Sequence, residues 1–370
     1  MNLAARHGFA FKRANKKTKN RVVLAPLTHN MSAENGDLSA AELNWLAQCA
    51  SGGFGMLITA ATMVNESGRS WLGQPGLLND KQLQQFEKIA ETARQNEVLS
   101  LVQLHHGGIR AEQSLSGCKP VGPSTYLPDD FRPNGARELH ESEIEQIINQ
   151  YFEATNRAHE AGLDGIEIHA AFNFLLSNFS NPRLNRRQDI WGGNFKNRNR
   201  LLTQIIQMIR SRLPRDFIIG VRLSPENYAH FQGIDIGEQI ELANHLTSLD
   251  IDYIHMSLHD VFKTPDHRPD SDKSLLSWIK QRLNPETPLI VAGKVFTQED
   301  ADKAISLGAD FVALGTAAIG NPDWVNKVNA GHRLQNAPYS IEHLKGIGFT
   351  SQSIDYLSTI SGLVCSQQSF

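Results

Sequence analysis

The chain has 370 residues, of which 40% are hydrophobic and 20% charged, and its formal net charge is −3. A chain of this size can bury one large core or two ordinary ones, and its balanced charge argues against a surface built to hold DNA or tRNA. Its three cysteines, Cys49, Cys118 and Cys365, are an odd number without CxxC spacing, which argues against a disulfide framework and suits a reducing cytoplasm.

Residues 6–19 are basic, but no apolar segment of the signal-peptide type follows them. The first short apolar run spans 21–27 and the second 54–64. Residues 80–95 place Leu83, Phe86, Ile89, Ala90 and Ala93 at helical spacing. A third run, 98–106, leads into a long Pro/Gly-rich connection over 107–140. A helix is predicted over 142–161 from Ile144, Ile147, Ile148, Tyr151 and Ala154. The fourth run, 165–171, is followed by a second long connection, 172–197. The remaining runs are 217–224, 253–258, 288–295 and 311–319, with helices expected over 197–213, 237–249, 275–283 and 297–307. Thr297 backed by Asp300 is the expected N-cap of the last helix, and Gly308 its stop. A third connection, 259–273, follows the sixth run. No apolar run approaches the ~18 residues of a membrane span.

Near-continuous Val/Ile/Leu in all eight runs fits parallel strands buried on both faces. Eight strand–helix units predict an α/β fold, a (β/α)8 TIM barrel with a C-terminal helical extension. The expected organisation is one domain over 1–370, with the core at 20–322, capping loops at 107–140 and 259–273, and terminal helices over 323–370. An open doubly wound sheet is the alternative, because a strand count does not prove closure.

Barrel enzymes carry their chemistry at the C-terminal ends of the strands. Those ends read Pro26-Leu27-Thr28, Ala61-Thr62, Gln103-Leu104-His105-His106, His169, Arg222, His255-Met256-Ser257, Gly293-Lys294 and Gly315-Thr316. Glycines ending the last two strands suit a phosphate held by backbone N–H groups, with Lys294 supplying charge; tight turns would also explain them. No GxGxxG follows any strand, so a phosphate-bearing cofactor reads as mononucleotide-like. Arg222 could pair with a carboxylate or face a ring that gains negative charge. Gln103 can offer both donor and acceptor to a ring edge, or bond to a loop backbone.

Several stretches then converge in one order: VVLAPLTHN, GMLITAATMV, VQLHHGG, AHEAGLDGIEIHAA, SNPRLNRRQDIWGGNFKNR and VRLSPENY. Together they resemble the Old Yellow Enzyme family from about residue 20 to about residue 324. AGLDGIEIH followed by the Asn185–Arg198 pattern is the most specific part. The resemblance implies non-covalent FMN, with NADPH or NADH as reductant. It implies that Pro26, Leu27, Thr28 and Ala61 lie along the ring, that Gln103 and Arg222 meet its pyrimidine edge, and that Gly293, Lys294, Gly315 and Thr316 surround the phosphate. Many family members carry Arg where Thr316 stands, which leaves Lys294 as the compensating charge. The implied mechanism is ping-pong, with hydride passing through flavin N5 to an electron-poor acceptor.

In the family, two groups after the fourth strand hold the acceptor's oxygen and a nearby Tyr gives the proton. His169 is retained here, but Phe172 occupies the second position and Phe174 the Tyr position. Neither can donate a hydrogen bond. The expected acceptor pocket, His169, Phe172, Phe174 and His105, is therefore aromatic and short of donors. It should favour quinones or nitro compounds over simple enones. Asn173 is offset by one residue and should point elsewhere, whereas His105 or His106 could supply a proton. His29, His140 and His159 read as surface or loop residues, and His255 as either a core or a site residue.

Three other readings compete. A metal-dependent hydrolase could use His105, His106, His169 and His255, although acidic residues are missing from the other strand ends. A tRNA-directed flavin barrel conflicts with the charge balance. A non-catalytic flavin or ligand binder would fit the two Phe substitutions. Expected partners are a small-molecule acceptor, with no nucleic acid and no membrane, in a monomer or homodimer.

Overall fold

Eight β-strands close into a parallel barrel in the computed structural model, which describes residues 7–130, 132–227 and 232–365. The strands are Val22–Leu24 (β1), Met56–Ile58 (β2), Leu99–His105 (β3), Gly165–Ala170 (β4), Ile218–Leu223 (β5), Tyr253–Ser257 (β6), Leu289–Ala292 (β7) and Phe311–Leu314 (β8). Consecutive strands pair in order, and the ring shuts where Ala313 of β8 lies beside Val23 of β1. The sheet is therefore closed, not open.

The helices between strands pack their apolar stripes outside the barrel. They are Ala40–Ser51 (α1), Asp80–Gln95 (α2), Glu141–Glu160 (α3), Arg200–Arg212 (α4), Ile236–Thr247 (α5), Leu275–Lys280 (α6) and Gln298–Ser306 (α7). In α2 the buried face includes Phe86, Ile89, Ala90 and Ala93; in α3 it includes Ile144, Ile147, Ile148, Tyr151 and Ala154. The cap of α7 is the expected one: Asp300 N donates to Thr297 Oγ1, and Thr297 N donates to Asp300 Oδ2. Gly308 follows with φ +111°, the left-handed stop that glycine adopts without strain.

Inside the barrel, the half near the strand N-termini is apolar and plugged. Val23, Met56, Ile58, Leu101, Ile218, Ile290 and Phe311 fill it. A hairpin of Ala10–Phe11 and Lys16–Lys17 closes that end, with Phe11 stacked on Phe311 at 5.5 Å. Losing a buried Phe ring costs on the order of 3–5 kcal/mol, so the plug is part of the core. It leaves only the opposite end open.

Several boundaries differ from expectation. The run 54–64 yields β2 and a separate pair of residues, Thr62–Met63, because the chain bends where Thr62 Oγ1 bonds to Ala60 O. The run 311–319 is strand only to Leu314, after which Thr316–Gly320 forms a short helix. The helix expected over 197–213 breaks at Asn199, whose side chain caps Phe195 O. The helix expected over 275–283 stops at Lys280. Tyr228 and residues 1–6 and 366–370 lie outside the described residues.

The Asn185–Arg198 segment is a brace. Arg198 forms a two-point ion pair with Glu238 at the start of α5 and also donates to Ser180 O and Gly193 O. Arg187 ties Asp189 to the carbonyls of Pro123 and Leu139 in the loop after β3. The two long loops are thereby fixed to each other and to the barrel. After β8 come Trp324–Ala330 (α8), Ile341–Ile347 (α9) and Ser351–Ser358 (α10). This extension returns to the open end, where Tyr339 donates to Thr316 O and Ser353 to His29 O. Among the described residues no helix is long and apolar enough to cross a membrane.

Candidate active site

The open end holds a cavity of about 1,100 Å³, and every one of the eight strands contributes residues at or just past its C-terminal end. Pro26, Leu27, Thr28, Ala61, Gln103, Arg222, Gly293, Lys294, Gly315 and Thr316 all line it, as do His169, Phe172 and Phe174. His105 does not. It is fully buried and packs against Phe174 at 4.3 Å between ring centres.

The floor rests on a polar layer directly above the apolar plug. Register places Gln103 beside Glu167, and Glu167 beside Gly220. Gly220 in turn lies beside Tyr253, and Arg222 beside both His169 and His255. A Cβ on Gly220 would overlap the Tyr253 ring, so only glycine lets that tyrosine reach across the strand. Glu167 gathers the layer: Gln103 Nε2 donates to Oε1 at 2.6 Å, while Tyr253 OH and His255 Nδ1 donate to Oε2 at 3.0 and 2.9 Å. Burial pushes the Glu167 carboxyl up, but His255, Arg222 and Gln103 outweigh burial and hold it below its ordinary range. His255 is pushed down, by burial above all, and is neutral. Arg222 donates to Pro26 O and Ser257 Oγ at 3.0 and 2.8 Å, which aims its planar head along the floor. His255 is thus a core residue tied to Glu167, outside the cavity lining.

At the phosphate-like end, Gly293 adopts φ +143° and its Cβ would fall 2.4 Å from Leu258 O, so glycine is required there. A Cβ on Gly315 would meet only Ala25 Cβ, at 4.0 Å, which leaves space beside it for a bound group. Lys294 is half exposed, and its Nζ lies 3.3 Å from Asp260 Oδ2.

The wall above His169 is different. His169 Nδ1 accepts from Ala171 N at 3.3 Å, so its neutral ring carries the proton on Nε2. Burial above all, with the Arg222 and Arg110 cations behind it, holds His169 well below the usual imidazole range. It is a neutral hydrogen-bond donor, not an acid. Phe172 and Asn173 then occupy the left-handed region consecutively, at φ +57° and +53°. A bulky residue there is strained by ~1–2 kcal/mol. Asn173 turns away from the cavity and its Oδ1 accepts from Asn181 at 3.0 Å. Phe172 leans towards Arg222, whose Cζ is 5.2 Å from the ring centre. Phe174 is boxed in by His105, His169, Trp71 and the Arg110 guanidinium.

His105 Nδ1 accepts from Gln74 Nε2 at 2.9 Å, and burial together with His106 and Arg110 keeps the ring neutral. His106 is also buried and pushed down to about 4. His29, expected at the surface or in a loop, is a loop residue but buried; its Nε2 faces Glu42 and its pKa falls to about 4. Among the described residues no three His, Cys, Asp or Glu side chains come together as metal ligands.

Sequence reading missed Glu167, Tyr253, Trp71 and Arg110. It also missed the contribution of Tyr356, Ile360, Ser361 and Leu363 from the C-terminal extension to the cavity wall. Glu167 had a usable signal, because Gly165, Glu167 and His169 alternate with the apolar residues of β4 and so share its inner face.

A model of the NADH:flavin oxidoreductase / NADH oxidase family matches residues 10–335. The probable NADH-dependent flavin oxidoreductase YqiG of Bacillus subtilis (strain 168) is 34% identical over 324 residues, covering 85% of this chain and 85% of its own length. The NADPH dehydrogenase of Clostridium acetobutylicum is 31% identical over 311 residues, covering 83% and 89%. The solved structure of an Old Yellow Enzyme homologue from Zymomonas mobilis aligns with a TM-score of 0.80 and 27% identity, over 94% of this chain and 99% of the other.

Proposed function

This chain belongs to the NADH:flavin oxidoreductase / NADH oxidase family, and from that premise we propose how its residues divide the work. It is an NAD(P)H-dependent flavin oxidoreductase with FMN as cofactor and a small molecule as acceptor. The residues present fit that cofactor. Gln103 Oε1 is a buried acceptor with no donor among the described residues, as a ring N–H would require. Gly315 leaves open space where a side chain would stand.

In this reading Pro26, Leu27, Thr28 and Ala61 bed the ring, Gln103 and Arg222 hold its pyrimidine edge, and Gly293, Lys294, Gly315 and Thr316 hold the phosphate. The chemistry FMN supplies when bound is two-electron hydride exchange, from NADH or NADPH to an acceptor in alternating half-reactions. Arg222 favours the reduced state by placing a fixed cation beside the floor. Trp71, Phe172 and Phe174 exclude water from the acceptor's place, and His169 Nε2–H offers the acceptor oxygen one hydrogen bond. Loss of a second such donor costs on the order of 3 kcal/mol in barrier. Phe174 holds no proton to give.

The acceptor is therefore a quinone, a nitro compound or another electron-poor molecule that needs little proton assistance; simple cyclic enones are poor substrates. The observation that carries this is His169 flanked at the cavity wall by Phe172 and Phe174, neither of which can donate a hydrogen bond. Stopped-flow oxidation of the NADPH-reduced enzyme tests it. The expected result is fast oxidation by a benzoquinone and slow oxidation by cyclohexenone, and equal rates would overturn it. The full chain acts as one domain, in the cytoplasm, as a monomer or homodimer.

A further inference from the structure

Glu167 sits beneath the cavity floor, in contact with the floor but outside the lining. Its carboxylate is fully buried, which is costly unless every lone pair is used. Three donors converge on it, Gln103 from β3 and both Tyr253 and His255 from β6. An ionised carboxylate only accepts hydrogen bonds, so Gln103 must turn its NH₂ inward. Its Oε1 is then left buried and without a donor, on a residue that lines the cavity. The amide has no freedom to choose otherwise.

We propose that Glu167 is a positioning residue that locks the Gln103 amide with its oxygen toward the cavity, so the floor accepts a ring N–H there and rejects a ring carbonyl or a methylated ring nitrogen. The inference rests on the FMN reading above, in which the N3–H of the ring is that donor. A second consequence follows from charge. A buried carboxylate under the floor opposes negative charge above it and offsets part of the effect of Arg222. Glu167 thereby keeps the reduced cofactor from being held too tightly relative to the oxidised one.

The test compares binding of FMN and N3-methyl-FMN to apoprotein prepared from the holoenzyme. Wild type should bind FMN at least tenfold more tightly than the methylated analogue. Equal affinities would overturn the proposal without any mutation. If neither binds, and the purified protein carries no flavin absorbance, the FMN reading itself fails. Glu167→Gln should lose most of the discrimination, because its amide can donate to Gln103 and let the latter flip. On a Gln103→Leu background, Glu167→Gln should leave oxidised-FMN affinity unchanged, since the effect passes through Gln103. An equal loss in both backgrounds would overturn that route. Glu167→Gln should also shift the ratio of reduced to oxidised flavin affinity about tenfold toward the reduced form, or about +30 mV for a two-electron couple. A merely structural role would lower thermal stability and leave that ratio in place.

Discussion

Two regions of the active site meet at His169. Below it the floor is regular strand: Gln103, Glu167, Arg222, Tyr253 and His255 hang from four adjacent β-strands whose register fixes who faces whom. Above it, residues 171–174 leave the strand and take two left-handed steps in succession. The floor is polar and held by short hydrogen bonds. The wall is aromatic and held by ring contacts. A site built this way fixes the cofactor through strands that all share one closed sheet, and leaves the acceptor to a loop whose side chains change without disturbing that sheet.

The largest effect expected is on the floor. Arg222→Ala removes the fixed cation of the floor together with its bonds to Pro26 O and Ser257 Oγ, and a buried polar group left unsatisfied costs about 1–3 kcal/mol. The purified variant should be nearly free of flavin absorbance and melt at lower temperature. Stoichiometric flavin in that variant would mean that the floor does not hold the cofactor through Arg222. On the wall, Phe172→Asn both adds a donor and suits a left-handed backbone. It should raise the rate of cyclohexenone reduction on the order of 10²-fold and stabilise the fold by about 1 kcal/mol. Rate and melting temperature are read independently, so a stabilised variant with an unchanged enone rate would separate backbone strain from chemistry. Lys294→Ala should loosen FMN only a few-fold, because an ammonium that is half exposed and already beside Asp260 adds little to the hold on an anion, as exposed ion pairs are worth about 0–1 kcal/mol. Titration of apoprotein with FMN measures this, and complete flavin loss would promote Lys294 to the main phosphate anchor.

The smallest expected effect on catalysis is none. His169 is neutral well below the ordinary imidazole range, so oxidation of the reduced enzyme should show no inflection from it between about pH 6 and 8. A step near 6.5 would make it an ordinary imidazole. Stability behaves oppositely. A depressed histidine takes its proton in the unfolded chain first, so the contribution of His105, His106 and His169 is complete above about 6.5 and lost as pH falls toward their folded values. Glu42, which burial raises to about 7, runs against this by favouring the fold as pH falls from about 7 to its ordinary range, and it offsets the neighbouring His29. The melting temperature at pH 5 should therefore lie below that at pH 7.

Much of this was legible in the sequence. Eight apolar runs gave eight strands, and each strand end places at least one residue in the lining of one cavity, although His105, His106 and His255 turn into the core instead. Two things were not legible. Alternation along β4 marks Glu167 as inward-facing, but its role as a hub could not be read, because its partners Gln103, Tyr253 and His255 are 64 to 88 positions away and meet it only through register. The left-handed pair Phe172–Asn173 was invisible because neither residue is a glycine that would announce the turn. The overlong run at 311–319 failed for a simpler reason: a short buried helix and a buried strand have the same composition.

The C-terminal extension also bears on the order of assembly in the cell. The strand-end floor is complete once Thr316 has been synthesised, but Tyr356, Ile360, Ser361 and Leu363 finish the wall. At ribosomal speeds that interval lasts roughly 2–9 s. Over that time the residues that enclose the cavity are still missing from the chain, so its floor precedes its wall in order of synthesis.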